Sequence, residues 1–324
     1  MTETRRVQLV DAFTEEPMAG NPAGVLPDAT GLTDDQMGAI AAELGASETA
    51  FVTPGEGADR RLRYFTPERE VDLCGHATVA AFASLYDRAI ISTGTYAVET
   101  AVSVLDVDID PDGTVWLTQS PPDLRTVDVD VDRVAAALDL ETHALTEVGE
   151  DLPIGRASTG LPFLVVPVGY FEQLSSVDPD LEAIAALCEE TDTEGLYACT
   201  FDTLSAESTL HGRAFAPLAG IPEDPVTGTA SGAVGAYLRS RGALDRADPL
   251  VFEQGHFLGR PGRVLVDTAS GGEAETDRAE TDRADTEDAA VPGERAVRVG
   301  GQAVTTLDGE ITVPAADDDD IVEA

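Results

Sequence analysis

At 324 residues and 43% hydrophobic, the chain is long enough to bury a substantial core and to form two domains. Its formal net charge is −41 and all 20 basic residues are arginine, which argues against nucleic acid and anionic membranes as partners and fits adaptation to high salt, where charges are screened within about 3 Å. Cys74, Cys188 and Cys199 form no CxxC pair, and there is no 18-residue apolar run and no leader pattern, so the expectation is a soluble, cytoplasmic protein.

Residues 7–10 read as a first strand, followed by the turn-rich run Pro17-Met18-Ala19-Gly20-Asn21-Pro22-Ala23-Gly24. Asn21, before a proline, is a turn former first and a ligand contact second. Residues 33–45 predict a helix: Thr33 and Gln36 make a capping box, Met37, Ile40, Ala41 and Leu44 line one face, and Gly45 stops it. The run Ser47-Glu48-Thr49-Ala50-Phe51-Val52 then opens an apolar strand on a carboxylate that folding does not need.

A strand over 62–65 ends at Pro67, and a helix follows over 77–87. Its Ala77, Ala80, Ala81, Ala83 and Ser84 suit a helix packed on several sides inside a sheet or barrel. Residues 96–100, 102–109 and 115–118 alternate like antiparallel strands, the last two joined by a turn over 110–113. Asp108, Asp110, Asp112 and Gly113 imitate the opening of a calcium loop, but Gln119 stands where the closing acid is required, so a hairpin is the better reading.

Pro121-Pro122 marks a boundary between domains at 1–120 and 121–324. Short helices are expected over 131–138 and 180–189, the second capped by Asp178 with Pro179 in its first turn. Residues 159–166 turn into a buried strand, in the chain position that 47–52 hold in the first half, which leaves the second half without a partner for Glu48. Strands over 196–201 and 213–215 lead to a helix over 230–240. Around 271–290 the run Glu275-Thr276-Asp277-Arg278-Ala279 repeats at once, an acidic low-complexity insert expected to be a solvated loop. Strands return at 296–299, 303–307 and 311–313, the last two joined by Asp308-Gly309, and the final strand is free to return to the N-terminal domain. The acidic run 317–320 reads as a solvated tail.

The chain carries an internal echo. Gly75-His76-Ala77-Thr78-Val79-Ala80 aligns with Gly228-Thr229-Ala230-Ser231-Gly232-Ala233, and each copy follows RxFxP, at Arg63 to Pro67 and at Arg213 to Pro217. A glycine opening a helix leaves backbone N–H groups free beside the positive end of the helix dipole, so two such starts face to face would form one anion-binding cleft. Duplication explains the helices and the RxFxP segments on structural grounds alone. It does not explain Cys74 and His76 in one copy, or Glu223, Asp224, Thr227 and Thr229 in the other. Dinucleotide, P-loop, HExxH and GxSxG motifs are absent, and His76, His143, His211 and His256 are scattered, so nicotinamide, nucleotide and structural metal lose support.

Five ordered motifs, Gly20-Asn21-Pro22-Ala23, Ser47-Glu48-Thr49-Ala50-Phe51, Cys74-Gly75-His76-Ala77-Thr78, Glu223-Asp224-Pro225-Val226-Thr227-Gly228 and Gln254-Gly255 with Gly259-Arg260-Pro261, resemble the phenazine-biosynthesis PhzF-like isomerases. The resemblance runs from about residue 7 to 313. It implies an α+β, diaminopimelate epimerase-like fold: two pseudo-symmetric domains, each a barrel-like, mainly antiparallel sheet around a central helix, with the site between them. It also implies a homodimer with no cofactor and no metal, acting on a small carboxylate-bearing substrate. By the same resemblance Glu48 removes and returns a proton beside His76 and Asp224, while Gly75, Gly228 and Thr229 hold substrate.

Burial is expected to raise the Glu48 pKa toward neutrality, and the helix dipole to keep His76 neutral. For Asp224 and Thr229 helix capping stands as an alternative to a chemical role. Related racemases pass a proton between two cysteines, one at each helix start. Here Cys74 occupies the first place and Thr227 the second, which disfavours a two-thiol epimerase. An amino-acid epimerase or racemase and a catalytically silent metabolite-binding protein remain the alternatives.

Overall fold

In the computed structural model, which describes residues 3–148, 152–244, 249–268 and 296–315, two helices, Gly75–Asp87 and Gly228–Ser240, are each wrapped by sheet. Every residue from Ala77 to Leu85 is buried, which small side chains permit because strands approach on all sides. The second helix is held still closer. A Cβ at Gly235 would stand 2.7 Å from Val266 Cγ1, so only glycine fits there.

The sheet repeats its own strand order. In the first half hydrogen-bonded neighbours run Ala303–Thr312, Thr4–Ala12, Asn21–Leu26, Glu48–Thr53, Arg60–Phe65, Gly94–Glu99, Val104–Ile109 and Val115–Thr118. In the second they run Asp123–Thr126, Gly155–Ser158, Pro162–Pro167, Gly195–Thr200, Leu210–Ala216, Leu250–Gln254, Gly262–Asp267 and Arg298–Gly301. Parallel pairs fall at the same two places in each half, and the second of these is the crossover that contains the central helix. The halves join where Val115–Thr118 pairs with Arg298–Gly301. The final strand returns to the first, Thr4–Ala12. The fold is therefore α+β and pseudo-symmetric, with a barrel-like, mainly antiparallel sheet around each central helix.

One core runs through both barrels and includes both helices, while separate clusters lie under the outer helices. Helix Asp34–Leu44, with the expected Thr33–Gln36 capping box and Gly45 in the left-handed conformation, covers Phe51 and Phe65. Each of these buried rings contributes roughly 1.5–3 kcal/mol. The RxFxP echo has a structural cause: Arg63 lies 5.2 Å over the Phe65 ring and grips Glu70 with two hydrogen bonds (2.6 and 2.8 Å), and Arg213 lies 5.2 Å over Phe215 and grips Glu223 at 2.9 and 2.8 Å.

Four expectations are corrected. Residues 303–312 form one strand rather than a hairpin: Gly309 pairs with Val7 and Asp308 bonds Arg6, because the nine-residue strand Thr4–Ala12 offers backbone partners from Ala303 to Thr312, with one register shift at Thr306. The helix Leu181–Thr191 is capped by Asp180, whose Oδ1 accepts from the Glu182 and Ala183 N–H groups, not by Asp178. The strand expected from residue 102 begins at Val104, because Thr100 and Ser103 close a turn of their own. The counterpart of 47–52 is Gly195–Thr200, not 159–166: both strands follow an outer-helix crossover and pair in parallel with the strand before it. The insert at 271–290 and the acidic tail at 317–320 lie outside the described residues.

Candidate active site

The two helix starts meet at the junction of the halves. A Cβ on Gly75 would lie 3.6 Å from Thr229 Oγ1, so the N-terminus of one helix faces the first turn of the other. Neither start is capped by a side chain: Cys74 and Thr227 hold the cap positions without a capping hydrogen bond. The N–H groups of both first turns are thus available to an anion. At Gly228 a Cβ would come within 2.9 Å of Phe13 Cζ, so a side chain there would collide with a buried ring.

Glu48 is placed by the helix that ends at Gly45, which feeds the chain into the strand Glu48–Thr53 beside Ala23. Its side chain is 15% exposed, and Oε2 stands 3.2 Å from His76 Nε2. The geometry is that of an ion pair rather than an aligned hydrogen bond, and Oε2 is buried with no hydrogen-bond partner among the described residues. His76 Nε2 lies 3.4 Å from Ser47 Oγ, and Nδ1 lies 3.4 Å from Cys74 Sγ.

The electrostatics reverse the expectation for both groups. Burial pushes the Glu48 pKa up, but the His76 contact and charge, with the Ser47 hydroxyl, outweigh it, and the net shift is downward. For His76 burial opposes the charge, yet the Cys74 sulfur and the Glu48 carboxylate hold its pKa well above the ordinary value. Burial pushes the Cys74 thiol up, the His76 charge opposes that rise and Glu48 adds to it. Both shifts favour the charged forms, a Glu48 carboxylate beside a His76 imidazolium. A full opposite charge in contact outweighs the partial charge of a helix end.

Asp224, on the strand Ile221–Asp224, accepts from Asn21 Nδ2 through Oδ1 (2.9 Å) and from Thr227 Oγ1 through Oδ2 (2.5 Å). Its oxygens are engaged by side chains rather than by helix N–H groups, so the capping reading is set aside. Its pKa is raised, chiefly by burial; the His76 charge pulls the other way, and Glu48 adds to the rise. Thr229 is the second residue of its helix, not the cap, which removes the capping reading for it as well. The structure thus gathers Glu48, His76, Asp224, Gly75, Gly228 and Thr229 at the junction of the two halves.

Two residues outside the expected catalytic and substrate-binding set hold this site together: Asn21, read from sequence as a turn former first and a ligand contact second, and Gln254. Asn21 is 1% exposed and donates across the junction to Asp224 and to the Val226 carbonyl (2.9 Å each). Gln254, also 1% exposed, accepts from Thr227 N–H (3.1 Å) and donates to the Asp224 carbonyl (2.8 Å) and Thr227 Oγ1 (3.1 Å). The signal available was an amide ending the apolar run Leu250–Gln254 directly before a glycine, where a buried polar side chain needs partners.

The architecture is thus a two-barrel sheet whose two central helix starts converge beside the Glu48–His76 pair. The profile of the family described as "Phenazine biosynthesis-like protein" matches residues 10–309, and the chain belongs to that family. An uncharacterized isomerase of Deinococcus radiodurans is 41% identical over 268 residues, covering 80% of this chain and 85% of the relative. The uncharacterized isomerase YfhB of Bacillus subtilis is 38% identical over 267 residues, covering 81% and 90%. Among solved structures, a phenazine biosynthesis protein of the PhzF family from Bacillus anthracis superimposes with a TM-score of 0.81 at 32% identity, over 95% of this chain and 99% of that one. A hydroxyproline epimerase from Agrobacterium vitis, at 12% identity and a TM-score of 0.56 over 95% and 91%, shares the fold alone. The protein is an isomerase. No helix among the described residues is long and apolar enough to cross a membrane.

Proposed function

We propose that the protein is a cofactor-independent isomerase that moves a proton on a small carboxylate-bearing metabolite, with Glu48 as the acid and base. The observation that carries this reading is the buried Glu48 Oε2, which has no aligned hydrogen-bond donor among the described residues and stands 3.2 Å from His76 Nε2 beside two helix starts without side-chain caps. Held ionised by His76, Glu48 starts as a base and takes a proton from a carbon beside the substrate carboxylate. The imidazolium and the free N–H groups at Gly75, Gly228 and Thr229 offset the charge that develops on the substrate. Glu48, now neutral, returns the proton at another carbon. Asp224, fixed by Asn21 and Thr227, is placed to hold a polar group of the substrate.

A two-base epimerase has less support, since Thr227 stands where a second thiol would be needed. The test is NMR in D₂O and high salt against a pool of amino acids and cyclic carboxylates, with wild type beside Glu48→Gln. Deuterium uptake at one carbon, lost in the variant, is the expected result. Uptake that persists in Glu48→Gln sinks the role of Glu48. Ligand-induced stabilisation without any uptake favours a silent binder.

A further inference from the structure

We infer that Glu48, His76 and Cys74 also form a binding site for a thiophilic divalent cation, Zn²⁺ above all, and that its occupancy silences the enzyme. One donor atom from each of the three residues lies within 4.8 Å of the other two. With His76 bound through Nε2, two edges of the site are 3.2 Å to Glu48 Oε2 and 3.9 Å to Cys74 Sγ. Zinc bound to nitrogen and oxygen at about 2.0–2.1 Å and to sulfur at about 2.3 Å has tetrahedral edges of roughly 3.3–3.6 Å, so the Glu48–His76 edge is already set, while the Cys74 thiol, now nearer Nδ1, must turn toward Nε2 to close the site.

Among the described residues the buried Glu48 Oε2 has no aligned hydrogen-bond donor, only the His76 ring at 3.2 Å, and a cation would satisfy it. Three protein ligands leave a fourth position toward the cleft, the open arrangement of exchangeable zinc sites. The mixed sulfur, nitrogen and oxygen set also decides between cations. A chain with net charge −41 attracts any divalent ion to its surface, but magnesium and calcium take oxygen ligands, whereas thiolate and imidazole select zinc.

Zinc takes a thiolate and a neutral imidazole, so it competes with protons for both ligands and affinity rises with pH. Bound zinc takes the Glu48 oxygen that would receive the substrate proton, so the ion acts as a reversible inhibitor and not as a cofactor. The inference goes beyond the proposed reaction, since binding is measured without substrate.

The test uses the full chain, free of any histidine tag and stripped with chelator, at high salt to suppress surface binding. Co²⁺ titration, followed by displacement with Zn²⁺, is compared in wild type, Cys74→Ser, Glu48→Gln and a Cys188→Ser/Cys199→Ser double variant, with folding checked by circular dichroism. The expected result is one equivalent of Co²⁺ with a thiolate charge-transfer band, displaced by Zn²⁺. The band should vanish in Cys74→Ser, with zinc affinity down by more than about 100-fold, and persist in the double variant. Glu48→Gln should keep the band but weaken binding, which keeps the test decisive if Cys74→Ser fails to fold. Several weak equivalents unchanged by Cys74→Ser, or one equivalent with no thiolate band, would overturn the inference. Zinc binding together with a failure to exchange deuterium on any substrate would leave the inference standing and remove the proposed reaction instead.

Discussion

Gly195 occupies in the second half the place that Glu48 holds in the first. Glu48 opens the strand Glu48–Thr53 and pairs with Ala23, and Gly195 opens the strand Gly195–Thr200 and pairs with Phe163. A Cβ on Gly195 would stand 2.6 Å from the Phe215 carbonyl and 2.7 Å from Phe163 Cε1, so that position has no room for a carboxylate. The duplicated fold keeps both helix starts but places the candidate base on one side only.

A single base sets apart two variants. Glu48→Gln should lower carbon-bound proton exchange by about 10²–10⁴-fold, the range for loss of a general acid–base group. Cys74→Ala should cost far less, because burial favours the neutral thiol and its contact is with His76 rather than with the Glu48 oxygen that takes the proton. Both are read by deuterium uptake in D₂O. Equal losses would point to a two-base route.

The Glu48–His76 pair predicts a two-sided pH dependence. The depressed Glu48 pKa contributes stability that is complete above its ordinary 4.5 and is lost as pH falls through the folded value. The raised His76 pKa contributes stability that is complete below its ordinary 6.5 and is lost as pH rises through the folded value. The full contribution lies between 4.5 and 6.5. In urea unfolding, the gap between wild type and His76→Gln should be widest there and shrink at higher pH. The kcat/KM profile should have its alkaline limb above 6.5, and a limb rising through 7 would contradict an imidazolium partner.

Gln254 is a positioning residue whose effect should be separable from folding. Its amide holds Thr227 N–H, Thr227 Oγ1 and the Asp224 carbonyl, so it sets the turn that aims the Asp224 carboxylate. Gln254→Leu leaves these buried groups unpaired and should cost about 1–3 kcal/mol in denaturant unfolding. Gln254→Glu keeps an acceptor for Thr227 N–H but loses the donor to the Asp224 carbonyl. Its stability should recover in part, while kcat/KM should stay depressed if orientation of Asp224 is what matters. Full recovery of both would reduce Gln254 to a core residue.

The duplication was legible because its markers are local: a glycine opening a small-residue helix, and an arginine two residues from a phenylalanine. The Glu48 counterpart was not, because the crossovers differ. One carries the helix Asp34–Leu44 alone and the other carries Phe171–Ser176 and Leu181–Thr191, so position along the chain misaligns the strands. Asp308-Gly309 has the chemistry of a turn, yet pairing to the distant strand Thr4–Ala12 overrides it. The sign of the Glu48 and His76 shifts depends on a 3.2 Å contact across two elements, while the helix dipole invoked from sequence is weaker than that contact.

The two RxFxP arginines should differ in how much stability they carry, although the motif is the same. Arg213 is 7% exposed against a Glu223 at 11%, lies 4.9 Å over Phe257, and donates to the Leu174 and Val177 carbonyls at 3.2 and 2.8 Å. Arg213→Met strands a buried carboxylate and two carbonyls, and the loss should be about 3–5 kcal/mol. Arg63 is 19% exposed against a Glu70 at 39%, and water can replace it. Arg63→Met should therefore cost under about 1 kcal/mol. Denaturant midpoints of the two variants decide the matter. Because Glu223 directly precedes Asp224, Arg213→Met should also lower kcat/KM in whatever fraction remains folded, whereas Arg63→Met should leave it within a few-fold of wild type. Similar midpoints for both would mean that the motif contributes through packing over Phe65 and Phe215, not through burial of the ion pair.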